Sequence, residues 1–316
     1  GGTLSGPIIR DRTFFFFSYE GLRLRLPEVA QARVPDIAAR QSAIPAMQPY
    51  LNAFPLPTPG APDDTTRGIA QFNASFSNQA SLDAYSLRLD HRVNGKVSVF
   101  GRYNYSPSSL VQRGTSGGTL NSVSPTNITT QTGTAGAVWT VSPNPINDLR
   151  FNYSRTNSSS YAYLDGLGGA VPLTSLPFPS PFTAKDADLF VPVLGLHPIG
   201  LLLGPQGNNV QKQINLVESL FVQRGAHSFK FGVDYRRLMP FVGNPAYEQE
   251  ALFRNVPSFA SGNVFVSFIT SGQSGTIVFN NLGAFAQDTW RFNPRLTMTY
   301  GLRWDVDFAP YTKLGY

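Results

Sequence analysis

The chain has 316 residues, of which 41% are hydrophobic, 13% aromatic and 14% charged, with 25 Lys and Arg against 19 Asp and Glu for a formal net charge of +6. Soluble domains carry roughly 25% charged residues, and a mean hydropathy of -0.13 without any apolar run of the ~20 residues a spanning helix needs excludes a helical membrane bundle. The absence of cysteine excludes a disulfide framework or thiolate metal site, and the arginines are scattered along the sequence, which argues against a nucleic-acid-binding face.

From the N-terminus onward, apolar residues recur at every second position in stretches bounded by Gly, Pro, Asn and Ser, the pattern of half-buried strands. A first short turn is Arg10-Asp11-Arg12, followed by a Pro- and Ser-rich segment at residues 25–79. Within it, Ile37, Ile44, Met47 and Leu51 predict a short helix over residues 37–53, interrupted at Pro45. Tyr85, Leu87 and Leu89 then oppose Ser86, Arg88 and Asp90. After the Val93-Asn94-Gly95-Lys96 turn, Val97, Val99, Gly101, Tyr103 and Tyr105 oppose Ser98, Phe100, Arg102 and Asn104. Asn-Gly suits the positive φ that both central positions of a type I′ hairpin require.

A second long segment, residues 106–129, leads to Ala135, Ala137, Trp139 and Val141 alternating with Thr134, Gly136, Val138 and Thr140. A turn at residues 142–147 precedes Leu149, Phe151 and Tyr153, opposed by Arg150, Asn152 and Ser154. The third long segment, residues 157–211, holds Gly166, Gly168 and Gly169, read as a flexible loop. It also holds the apolar stretch 189–203, read as an apolar loop because Pro192, Gly195, His197, Pro198 and Gly200 interrupt it. Beyond the turn at residues 224–227, Phe229, Phe231, Val233 and Tyr235 oppose Lys230, Gly232, Asp234 and Arg236. A fourth long segment, 239–281, and the turn Phe292-Asn293-Pro294-Arg295 precede the clearest strand. There Leu296, Met298, Tyr300, Leu302 and Trp304 face away from Thr297, Thr299, Gly301, Arg303 and Asp305. Residues 307–316, with Pro310, do not alternate.

These readings give about ten strands in five hairpins whose connections alternate between very short and very long, the layout of an outer-membrane barrel with its long loops outside the cell. The expected fold class is all-β, an antiparallel transmembrane β-barrel segment. Charges at Arg88, Asp90, Arg102, Arg150, Lys230, Asp234, Arg236, Arg303 and Asp305 are too many to bury unpaired and are expected on a watery or plug-filled lumen. On the opposite faces, Tyr103, Tyr105, Trp139, Phe151, Tyr153, Phe229, Phe231, Tyr235, Tyr300 and Trp304 are expected to form a membrane girdle.

No catalytic, cofactor or metal site is expected. His91, His197 and His227 lack the spacing of ligands, and the glycine cluster does not open a helix. Nothing draws Asp83 to Asp90, or Glu218 to Asp234, as acid/base pairs. Asn-x-Ser/Thr sites at Asn73, Asn104, Asn127, Asn152 and Asn157 matter only in a eukaryotic secretory protein.

Several hairpins resemble TonB-dependent outer-membrane receptors, in particular the Oar-like group that carries a carboxypeptidase-regulatory-like domain. The resemblance lies in GGTLSGPIIRDRTFFFFSYEGL at 1–22, LDAYSLRLDHRVNGKVSVFGRYNY at 82–105, HSFKFGVDYRR at 227–237 and AFAQDTWRFNPRLTMTYGLRWD at 284–305. It implies a plugged barrel of roughly 22 strands, of which residues 1–316 form a partial barrel domain. The plug, the TonB box and the N-terminal regulatory-like domain are expected outside this chain.

The expected function is energy-coupled uptake of a bulky ligand across the bacterial outer membrane, without enzymatic activity or cofactor. The expected partners are outer-membrane lipid, the receptor's own plug, the TonB complex and an unknown imported ligand, with no nucleic acid. Two alternatives stand beside it: a passive porin-like or adhesin barrel, and a secreted all-β binding protein or enzyme.

Overall fold

The computed structural model describes residues 1–140, 144–197 and 199–314. In chain order the elements are β1 (Gly2–Ile9), β2 (Thr13–Pro35), α1 (Ile37–Ser42), α2 (Gln48–Asn52), β3 (Asp63–Asp64), β4 (Ile69–Arg92) and β5 (Val97–Arg113). They continue with β6 (Ser122–Thr140), β7 (Ile146–Leu164), β8 (Ala187–Val193), β9 (Ile199–Arg224), β10 (His227–Val242) and β11 (Tyr247–Leu252). The last are α3 (Val256–Ala260), β12 (Val266–Thr270), β13 (Gly275–Asn293), β14 (Leu296–Asp307) and β15 (Tyr311–Leu314). Ten strands form one antiparallel path, β1-β2-β4-β5-β6-β7-β9-β10-β13-β14, which is open at β1 and β14.

Five short turns join neighbours on one side of this sheet, where the alternation places them. Asn94 Oδ1 accepts from the backbone N–H of Lys96 and Val97, at 2.8 and 3.0 Å, fixing the tightest of them. Val141 and residues 142–143 of the turn between β6 and β7 lie outside the described residues, as do Pro198 and residues 315–316 at the non-alternating end.

The long connections differ from expectation. Strands continue far beyond the alternating stretches, so that β2, β4 and β9 reach 23, 24 and 26 residues. The segments outside the main path shrink to 36–68, 114–121, 165–198 and 243–274. The reason lies in composition. Ser, Thr, Asn and Gln dominate the extensions, whose ladders run through pairs such as Ser109 with Asn127 and Thr130 with Thr156. Backbone hydrogen bonds sustain a strand whether or not its two faces meet different solvents, but only the latter writes alternation into the sequence.

What remains of the long connections folds together as a cap. The Ile37 to Ala53 region forms α1 and α2, separated around Pro45 as predicted. Asp36 caps α1 by accepting from Ala39 N–H at 2.6 Å, and Asn255 closes a capping box with Ser258 at the start of α3. The stretch 189–203 is not a loop: Leu189–Val193 of β8 pairs with Ile199–Leu203 of β9. Its side chains Leu189, Val191, Val193, Leu196, Leu201 and Leu203 pack with Leu51, Phe54, Phe253, Val256 and Phe259 into one buried core. Each such side chain contributes on the order of 1.5 to 3 kcal/mol, which outweighs the helix- and strand-breaking residues that made the stretch read as irregular. Gly204 permits this packing, since it holds φ +108 and a Cβ there would stand 2.3 Å from Ala187 O.

The glycine cluster also differs from a flexible loop. Gly168 and Gly169 adopt positive φ in a single 3₁₀ turn, and a Cβ on Gly168 would meet the Phe72 ring at 2.5 Å. Beneath this turn the buried side chains are Ala32, Val34, Phe72 and Ala74, while Gln31, Arg33, Asn73 and Ser75 between them are exposed. The cap therefore lies against one face of the extended sheet.

Candidate functional site

Register decides which residues share a face, because directly paired residues in a ladder point to the same side. Followed across the sheet, Tyr85 pairs with Tyr105, Gly101 with Ala135, Ala135 with Phe151, Phe151 with Leu216, Leu216 with Tyr235, and Tyr235 with Leu282, itself opposite Val306. The ten girdle candidates, Tyr103, Tyr105, Trp139, Phe151, Tyr153, Phe229, Phe231, Tyr235, Tyr300 and Trp304, fall on this one apolar face. The nine charged candidates, Arg88, Asp90, Arg102, Arg150, Lys230, Asp234, Arg236, Arg303 and Asp305, fall on the other, the face that carries the cap.

On the apolar face, Val97 to Tyr105 covers nine positions, close to the 9–11 residues of a tilted membrane strand. Tyr19, Tyr85 and Tyr105 stand directly opposite one another at its loop-side border, with ring centroids 5.0 and 6.3 Å apart. Arg23, Asp83, Arg155, Lys212 and Arg237 follow within a step or two on the same face. Tyr153 and Tyr235 continue that border, Trp139 and Trp290 mark the turn side, and the other aromatics fill the band between. Aromatic rings between an apolar band and charged rows are the signature of a membrane-water border.

The polar face is a row of local ion pairs. Arg88 pairs with Asp90 at 2.8 Å, Arg150 with Asp148 at 2.8 Å, and Arg303 with Asp305 at 2.7 Å, each two residues apart on one strand face. Arg303 also approaches Asp234 at 3.9 Å, and Asn215 donates to Asp234 at 2.7 Å. Arg102 instead donates to Ser86 and Asn104, and Lys230 sits 5.3 Å from the centroids of both Phe221 and Phe285. Phe221 and Phe285 do not stand out in the sequence, because each sits among small or uncharged polar residues on the polar face of its strand, Ser219 and Gln223 beside Phe221 and Gly283 and Gln287 beside Phe285. Among the described residues Arg102, Lys230 and Arg236 have no carboxylate partner.

The imagined acid/base pairs are separated by the sheet itself. Asp83 is on the apolar face, bound to Arg23 and Tyr19, while Asp90 is on the polar face. Glu218 accepts from Asn147 on the apolar face, away from Asp234. His91 bonds Thr13 at 2.8 Å, and His197 occupies a left-handed position at φ 75. His227 bonds Asp288 at 2.6 Å between the rings of Phe229 and Trp290, and Tyr300 donates to the same carboxylate at 2.8 Å. Among the described residues no group of three metal-ligating side chains occurs.

Two charges in the cap are buried by the fold. Burial pulls the Arg40 guanidinium down to about 10, partly opposed by Asp36. Burial pushes the Asp188 carboxyl up to about 7, with Glu248 directly beside it in the parallel β8–β11 ladder, while a hydrogen bond from Gln206 at 2.7 Å works the other way. A raised carboxyl pKa favours the folded cap at low pH, and this contribution is lost as pH rises from about 4 through about 7. Asp188→Asn is accordingly expected to stabilise the cap above pH 7, by on the order of 2 kcal/mol once partial solvent contact is allowed for, and to change little at pH 4. Hydrogen exchange of β8 and β11 at the two pH values checks this, and equal protection of both proteins at pH 8 would contradict it. Where the cap meets the ends of β2 and β4, a cavity of about 470 Å³ opens among Arg33, Asp63, Asp64, Leu196 and His197.

One lipid-compatible face, one charged face and a cap on the charged side define a section of the wall of a membrane β-barrel, with its long connections folded against the charged face beyond the membrane band. The chain matches the outer membrane beta barrel domain family over residues 1–45 and 40–315, and it belongs to that family, whose place is the bacterial outer membrane. It is similar in fold to the outer membrane transporter YddB from Escherichia coli, at 13% identity and a TM-score of 0.56 over 98% of this chain. The chain spans 34% of that transporter's length. The ferric-catecholate import receptor Fiu of E. coli K12 gives a TM-score of 0.33 in its open form, at 11% identity over 96% of this chain and 57% of its own. Its closed form gives 0.33, at 10% identity over 95% and 55%. No curated protein sequence matches the chain.

Proposed function

We propose that this chain is barrel wall of an Oar-like, TonB-dependent receptor that takes up a bulky ligand with energy from the inner membrane. The polar face lines the lumen, the apolar face meets lipid, and the cap faces the medium, where it captures ligand. The plug and the segment that engages TonB belong to other parts of the full receptor. The observation that carries the reading is the cap's position over the charged face, since loops that close over a lumen mouth suit capture followed by gated entry. In this reading the chain is a conduit and takes no part in catalysis or cofactor binding.

Cysteines placed in this Cys-free segment of the full-length receptor test both sidedness and gating. Ser261→Cys on the cap is expected to react with an impermeant maleimide on intact cells, while Leu202→Cys, 4% exposed, and Asn94→Cys in a short turn are not. Ser154→Cys, on the polar face of β7, is expected to be shielded by the plug and to react faster when the inner membrane is energised. Free labelling of Ser154→Cys with or without an uncoupler would indicate an open, passive barrel. Labelling of Asn94→Cys would invert the topology.

A further inference from the structure

The turns that look scattered in sequence meet at one rim. Arg10 and Arg12 lie between β1 and β2, Arg92 and Lys96 around the turn joining β4 to β5, and Arg224 at the end of β9. Arg291 and Arg295 bracket the turn between β13 and β14, and Asp11 is the one carboxylate in these turns. The chain holds 25 Lys and Arg against 19 Asp and Glu, so seven cations and one acid on this rim equal the whole excess of six, and the remaining charges balance. All seven are exposed, and among the described residues none forms an ion pair.

The backbone holds these cations side by side. Arg92 N–H donates to Arg12 O at 2.7 Å, Thr140 N–H to Lys96 O at 2.8 Å, and Arg291 N–H to Ala226 O at 2.8 Å, tying each hairpin turn to the next. Like charges held next to one another without a protein counter-ion repel each other and together attract an external anion. Aromatic side chains adjoin the rim at Trp139, His227 with Trp290, and Phe292, whose ring meets Trp290 edge-on at 4.9 Å. The long aliphatic stems of Arg and Lys can lie along such rings while the charged heads reach water.

We infer that this rim is a belt that binds the phosphate groups of lipid headgroups in the leaflet facing the short turns. The inference rests on the chain's being an outer-membrane barrel and not on the uptake reading. An acidic protein would need one compact patch. Arg10, Arg12, Lys96 and Arg295 instead lie in the turns and Arg224 ends β9 on the apolar face, on the line where a bilayer surface meets a barrel, while Arg92 and Arg291 stand near the ends of their strands on the polar face. Each cation near an anionic lipid surface changes affinity about fivefold, an effect that salt screens.

The test uses the full-length receptor, equilibrated with mixed phosphatidylglycerol and phosphatidylcholine, with retained lipid counted by native mass spectrometry. The wild type is expected to retain phosphatidylglycerol selectively. Arg10→Ser/Arg224→Ser/Arg295→Ser is expected to weaken that retention about a hundredfold, whereas Arg25→Ser/Arg33→Ser/Lys185→Ser on the loop side leaves it unchanged. Should the triple rim variant fail to assemble, Arg295→Ser alone, with a loss of about fivefold, carries the test. Equal retention by wild type and rim variant, or an equal loss in the loop-side control, would overturn the belt. Displacement of the lipid by inorganic phosphate or by polyglutamate at comparable charge would reassign the rim to a free anion or an acidic protein. A receptor that shows no heat-modifiable band contradicts the barrel placement itself, and so is told apart from failure of the belt.

Discussion

Arg40→Ala is expected to dismantle the cap while the barrel wall beneath it stays intact. Arg40 is 6% exposed, and its guanidinium donates to Pro35 O at 3.1 Å, Leu51 O at 2.9 Å, Phe54 O at 3.1 Å and Pro55 O at 2.6 Å. It thereby adds to the bond that Leu51 O of α2 already accepts from Phe54 N–H, serves the Phe54 and Pro55 carbonyls just beyond the helix, and ties the end of β2 to the first cap segment. Truncation takes the guanidinium away from the Pro35, Phe54 and Pro55 carbonyls, opens a cavity, and removes a cation that interacts with Asp36, which is itself buried. Breaking a buried charged network from one side costs roughly 3–5 kcal/mol, enough to unfold a subdomain whose core is a single cluster. Arg40→Lys keeps the charge without the planar fork and is expected to fall between. Limited proteolysis of the assembled receptor should cut the variant within residues 36–68 while its heat-modifiable mobility stays that of a folded barrel. A cap as resistant as the wild type would show that the guanidinium does not hold it.

The second large effect distinguishes the two faces of the wall. Phe151 and Ser154 lie on the central strand β7, paired on both sides, Phe151 on the apolar face and Ser154 on the polar one. Phe151→Arg is expected to block assembly, because a lipid-facing Arg near the bilayer midplane costs roughly 2–4 kcal/mol. Ser154→Arg adds one cation to a face already carrying Arg150 and Asp148, and should assemble nearly as the wild type does. Tyr300 is a poorer site for the same test, since Tyr300→Arg would face Asp288, whose carboxylate already accepts from Tyr300 at 2.8 Å and would pair with the new cation. The fraction of each variant that migrates as the heat-modifiable species measures the difference. Equal assembly of Phe151→Arg and Ser154→Arg would mean that neither face is in lipid.

The sequence by itself determined the strands that cross the membrane, their short turns and the face each side chain takes. Leu296 to Trp304, Val97 to Tyr105 and Phe229 to Tyr235 alternate because lipid and lumen impose two solvents on one strand, and a period of two is the trace this leaves. It also determined the helical break at Pro45 and the hairpin at Asn94-Gly95, both local effects of backbone chemistry.

Only the tertiary structure decided the rest. Above the membrane band the strands run on through Ser, Thr and Asn, where water on both faces erases the alternation. In the cap, Leu189, Leu201 and Phe259 meet from distant segments, so their burial answers to packing partners that no local period can report. Charge follows the same logic. Arg12 and Arg92 are eighty positions apart in the sequence and joined by one backbone hydrogen bond in the fold. The balance of +6 was legible from composition, but its collection on a single rim follows from hairpins that all return their turns to the same edge of the sheet.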